Sequence, residues 1–158
     1  MAPSRQPELC CKRHKMSRVA DILGEKGREV LTIESSATVF EAIEKMVEAN
    51  VGALLVDDGA GVLGIMTERD YLRRVTLQGC DEKETPVRDI MSSPVIYVTP
   101  ETEIEECMAL MTERRIRHAP VVDGETLVGV ISIGDLVKFQ SRQQSFQIRY
   151  LTEYITAR

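Results

Sequence analysis

At 158 residues, 43% hydrophobic and 28% charged, the chain suits one compact domain or two small half-domains sharing a core. Its net charge of −5 argues against general affinity for nucleic acid, and no apolar run approaches the roughly 20 residues a membrane-crossing helix needs. Cys10, Cys11, Cys80 and Cys107 form neither a CxxC pair nor a disulfide framework, which points to a reducing compartment.

Residues 1–16, MAPSRQPELCCKRHKM, carry Arg5, Lys12, Arg13 and Lys15 against Glu8 and lack the continuous apolar segment of a signal peptide. They read as a flexible basic leader. A cytoplasmic location is expected, with a mitochondrial one as the alternative reading of the basic charge. Cys10, Cys11 and His14 suggest metal only superficially: adjacent cysteines chelate one tetrahedral ion poorly, and no second ligand pair follows at zinc spacing. No metal site is expected.

Residues 17–77 open with a short helical turn after Ser17, followed by an extended piece, VLTI (30–33). Val39, Ile43, Met46 and Val47 recur at helical spacing. Two apolar strands, GALLV and VLGIM, are joined by the turn DDGAG, and a second helix follows Thr67-x-x-Asp70. Residues 78–84 are a linker. Residues 85–140 then repeat the order: Thr85 with Pro86 at a helix start, the extended VIYV (95–98), and a helix carrying Ile104, Met108, Leu110 and Met111. The strands APVV and LVGVI around DGET come next, and Ser132-x-x-Asp135 precedes the last helix of the unit. Residues 141–158 read as a C-terminal helix whose Phe146, Tyr150 and Tyr154, four apart, dock on the body or on a second subunit.

The chain is therefore a tandem repeat. Gly64 to Leu72 match Gly129 to Val137 at an offset of 65, while Thr38 aligned with Thr102 gives 64, which predicts one residue gained near Arg115. The expected fold is α/β (α+β): two β-α-β-β-α units packed sheet to sheet with pseudo-twofold symmetry, plus the C-terminal helix. One unit of about 60 residues has little core of its own, which explains the pairing.

The duplicated hydroxyl-x-x-Asp has three readings. A hydroxyl at a helix N-cap with a carboxylate three residues on resembles a capping box, worth about 1 kcal/mol and needing no ligand. A helix N-terminus ending a strand also offers free N–H groups to phosphate, while a carboxylate can accept two bonds from a ribose diol. With Arg69, Arg73 and Arg74 after the first motif and Arg114, Arg115, Arg117 and His118 in a second basic knot, the set fits a nucleoside phosphate. Catalysis fits poorly. The only histidines are His14 and His118, and no Gly-rich phosphate loop is present.

The tandem unit, with NVGALLVDD and GIMTERD in one copy and RIRHAPVVD and GVISIGD in the other, resembles the cystathionine-β-synthase (CBS) domain pair, or Bateman module. The likeness spans about residues 17–140 and is greatest to small stand-alone CBS-pair proteins of bacteria and plant mitochondria. It implies a non-enzymatic regulatory module, without a catalytic cofactor, that binds AMP, ADP, ATP or NAD(H) between the repeats. It also implies a homodimer that acts on a separate regulated protein. Carried over, the first cleft uses Ile65, Thr67 and Asp70 with Arg115, Ile116, Arg117, His118 and Pro120. The second uses Val130, Ser132 and Asp135 with Ala42, Val51 and Gly52, and Arg117 as an optional member. Arg69 and Arg73, one helical turn apart, are expected at phosphates. Gly52 stands where the second copy has Arg117, so the first cleft is expected to hold more phosphate. A dimerising scaffold without ligand, or nucleic-acid binding through the arginines, are the competing readings.

Overall fold

The computed structural model describes residues 17–156; the leader, with Cys10, Cys11 and His14, lies outside the described residues. The first helix, α1 (Val19–Lys26), opens at Arg18 rather than Ser17, with the Asp21 carboxylate accepting from the Arg18 N–H at 2.9 Å. Strand β1 (Thr32–Glu34) leads into α2 (Val39–Ala49), where Thr38 and Glu41 close a reciprocal capping box. Strands β2 (Ala53–Asp57) and β3 (Val62–Thr67) follow. Next are a single turn, α3 (Glu68–Tyr71), and a π-helical segment, Leu72–Leu77. A 3₁₀ turn at Val87–Asp89 begins the second half, with Pro86 extended before it rather than at the first helical position. Then come α4 (Ile104–Arg114), β4 (His118–Asp123), β5 (Thr126–Ser132) and α5 (Ile133–Thr156).

Helices α2 and α4 begin at Val39 and Ile104, 65 positions apart, the offset that also relates Gly64 to Gly129. The residue expected to be gained near Arg115 does not exist. Thr102 does not cap α4; its hydroxyl accepts from the Thr99 N–H, and Glu103 holds the cap position without a side-chain bond. Both helices end on a left-handed residue, Asn50 (φ 53°) and Arg115 (φ 54°).

The repeats differ in their sheets. In the first, β1 pairs parallel with β2, and β2 pairs antiparallel with β3. In the second only β4 and β5 form a ladder, and the expected strand at 95–98 is reduced to one bridge between Val98 and Val121. The cause is Pro120. Leu55, its counterpart, donates its N–H to Leu31 O at 3.1 Å, and proline has no N–H to donate. Only the flanking bonds survive, Val98 N–H to Pro120 O and Val122 N–H to Val98 O.

The leading segments of the repeats are exchanged. Val19, Ile22 and Leu23 of α1 sit in the core of the second repeat with Val98, Ile104, Cys107, Met111, Ala119, Val121, Ile131, Leu136 and Phe139. Val87 and Ile90 sit in the core of the first, with Val39, Ala42, Met46, Leu54, Val56 and Met66. Backbone bonds fasten each exchange: Val19 N–H to Thr102 O and Ala20 N–H to Pro100 O on one side, Val87 N–H to Ala37 O and Arg88 N–H to Ser35 O on the other. Arg18 also pairs with Glu101. Strand alternation turns Leu55 and Ile65 to the face opposite the first core, where both are still buried.

Two predicted faces need correction. Val47 is 73% exposed, and Ala42 takes the buried position instead, because the stripe runs Val39, Ala42, Met46. The helix expected from residue 141 is the continuation of α5, unbroken from Ile133. Its Phe146 and Tyr150 are 73% and 65% exposed, so they do not dock on the body. Tyr154's side chain lies outside the described residues.

Candidate functional site

Each hydroxyl-x-x-Asp motif is a true N-cap. Thr67 precedes α3, and its N–H and hydroxyl both donate to Asp70 Oδ2, at 2.9 and 2.7 Å. Ser132 precedes α5 and does the same to Asp135 Oδ2, at 2.8 Å for both. The strand end is pinned in the same way in each copy: Glu68 N–H bonds Gly52 O, and Ile133 N–H bonds Arg117 O. The glycine that opens each motif has its own reason. A Cβ on Gly64 would lie 2.6 Å from Met91 Sδ and 2.9 Å from Ser92 O, and one on Gly129 would lie 2.7 Å from Leu23 Cδ2. In both repeats the exchanged segment passes where a side chain would be.

The third donor to each aspartate differs. Ser92 Oγ donates to Asp70 Oδ1 at 3.0 Å, and Ser92 exchanges backbone bonds with Ile65. Lys26 Nζ donates to Asp135 Oδ2 at 2.6 Å and to Val130 O at 3.2 Å. Burial alone would raise the Asp135 pKa, but the bonds from Lys26 and Ser132 outweigh it and hold the carboxyl below its ordinary range.

A cavity of about 420 Å³ is lined by Arg69, Met111, Thr112, Arg115, Ile116, Arg117 and Ile133. Arg69 reaches across from the first repeat to donate to Arg115 O at 3.2 Å. Three guanidinium groups around a partly apolar floor suit a polyanion with an apolar part, and the volume falls within the usual range for small-molecule sites. The left-handed backbone at Arg115, unfavourable for a side chain of this kind, occurs at the rim of this cavity.

His118 lies at the junction of the repeats; a Cβ on Gly52 would sit 3.5 Å from its Cε1. Burial lowers its pKa, Lys26 and Arg117 add to that, and Asp135 and Glu68 oppose it. Pro120 is buried, Val130 is half-buried, and Val51 packs against the first core. A second, smaller cavity of about 170 Å³ is lined by Ile22, Glu25, Lys26, Asp135, Lys138, Phe139 and Arg142.

Arg69, Arg115, Ile116 and Arg117, expected together, line one cavity. Ile65, Thr67, Asp70, His118 and Pro120 are not among its lining residues; Asp70 follows Arg69 on α3. Ala42 has no exposed surface and packs inside the first core, so its side chain meets no cleft. Arg73 falls in the π-helical segment and does not line that cavity. Lys26, Ser92, Met111 and Ile133 were missed. Ile133 adjoins a motif residue and was within reach of symmetry, whereas Lys26 lies 109 positions from Asp135 with no local signal linking them.

These features define a pair of CBS domains, and the chain belongs to the CBS domain family, whose model matches residues 19–76 and 87–142. Among curated relatives, the mitochondrial CBS domain-containing protein CBSX3 of Arabidopsis thaliana is 35% identical over 97% of this chain and 85% of its own. YhcV of Bacillus subtilis is 35% identical over 82% and 90%. A solved CBS-domain structure from Burkholderia ambifaria is 51% identical, with TM-score 0.75 over 77% of this chain and 92% of its own. No helix among the described residues is long and apolar enough to cross a membrane.

Proposed function

We propose that the chain is a non-catalytic regulatory module that binds an adenine nucleotide in the first cleft and acts on a separate protein. The observation that carries this reading is the set of three arginines, Arg69 from one repeat and Arg115 and Arg117 from the other, around one cavity, with Asp70 the next residue after Arg69 on α3. Phosphates meet the guanidinium groups. A ribose hydroxyl replaces Ser92 Oγ on Asp70 Oδ1, since that neutral donor can rotate away without stranding a charge. Met111, Ile116 and Ile133 offer apolar contact. The preference for adenine rests on membership in the CBS family.

Because arginines from both repeats meet the same anion, the ligand favours one relative arrangement of the repeats and acts by population shift. In a thermal-shift series with AMP, ADP, ATP, NAD and GTP, adenine nucleotides raise the melting temperature, most with more than one phosphate. Absence of any shift at millimolar concentration overturns the reading. A second role, self-association, is favoured by the exposed Phe146, Ile148, Tyr150 and Ile155 on α5. Sedimentation would then give a dimer.

A further inference from the structure

The two aspartates, equivalent in position, are not equally free. At the first, the exchanged segment supplies a neutral hydroxyl: Ser92 Oγ sits on Asp70 Oδ1, while the Ser92 N–H takes Ile65 O at 2.8 Å. At the second, one ammonium replaces both groups. Lys26 Nζ takes Asp135 Oδ2 and Val130 O, the carbonyl 65 positions after Ile65 O. Asp135 Oδ2 therefore already accepts three donors, counting the Ser132 N–H and hydroxyl.

Removing a hydroxyl from Asp70 strands no charge. A ribose diol that takes both oxygens of Asp135 must move Lys26 off Oδ2 and off Val130 O, displacing an ammonium with two partners rather than one neutral hydroxyl. The surroundings point the same way. Arg142 to Glu25 at 3.1 Å adds a second tie between α1 and α5 next to that of Lys26 to Asp135. Gly52, which adjoins His118, brings no cation to this side.

We propose that Lys26 decides which cleft takes the nucleotide: it occupies the second aspartate from within the chain and leaves the first cleft as the one ligand site. The proposal rests on the nucleotide reading above and adds to it the residue that sets occupancy. Lys26 is the last residue of α1 and is itself exposed, so its replacement leaves the core intact.

Calorimetric titration of ADP into the full chain gives one equivalent bound. Lys26→Met gives two, Lys26→Met with Asp135→Ala returns to one, and Lys26→Arg stays at one. Circular dichroism checks that each variant is folded. Two equivalents in the unaltered chain, one in Lys26→Met, or Lys26→Arg behaving as Lys26→Met would each overturn the role of Lys26 while leaving the nucleotide reading standing. No binding by any form overturns both.

Discussion

At the strand that carries the motif, the first repeat meets its exchanged segment through backbone, whereas the second meets it through a lysine. Around Gly64, Ser92 makes a two-way backbone bridge with Ile65 and lends its hydroxyl to Asp70. Around Gly129, α1 touches the strand with the flexible tip of Leu23, and Lys26 carries the polar contacts. The second repeat also lacks a paired third strand, because Pro120 cannot donate. The same motif thus becomes two different sites. The chain that passes behind it sets the difference, since the capping geometry is the same in both.

The largest test of this contrast concerns the exchange itself. Leu23→Ala should destabilise by about 2–5 kcal/mol, since Leu23 is 3% exposed in a packed core. In hydrogen exchange, protection should fall first in the second repeat, over α4, β4 and β5, although residue 23 belongs in sequence to the first repeat. Loss confined to α2, β2 and β3 would contradict the exchange.

The two glycines come next. Gly64→Ala should cost about 1–3 kcal/mol by urea unfolding, because the new methyl meets the Ser92 carbonyl, which the bridge holds in place. Gly129→Ala should cost less, since Leu23 can swing its terminal methyl aside. Equal losses would show that the two contacts have the same character.

The smallest effect is electrostatic. The Asp135 carboxyl is held below its ordinary range, so its contribution is present above the unfolded value of about 4 and is lost as pH falls through the folded value. Asp135→Asn should flatten the acid end of the melting-temperature profile, and Lys26→Met should flatten part of it. An unchanged profile in both would remove the ion pair from the account.

The strand turns and the capping boxes were legible in the sequence because each depends on residues a few positions apart, and the repeat was legible because the same short patterns recur in order. So was the gathering of Arg69, Arg115, Ile116 and Arg117, which the family resemblance implied. The exchange was not legible. The pattern Val19, Ile22, Leu23 shows that a helix has an apolar face, but not which core receives it. Lys26 was hidden for the same reason. Pro120 is a different case: a proline inside an apolar strand already signals a missing ladder bond, and it could have predicted the loss at 95–98.

The central claim is that the two clefts are unequal and that the first one works. It is tested most directly by comparing nucleotide-induced stabilisation in Asp70→Ala and Asp135→Ala, each against its own ligand-free baseline. The account predicts that ADP no longer raises the melting temperature of Asp70→Ala and still raises that of Asp135→Ala as in the unaltered chain. Equal loss in both variants, or loss in Asp135→Ala alone, would contradict it.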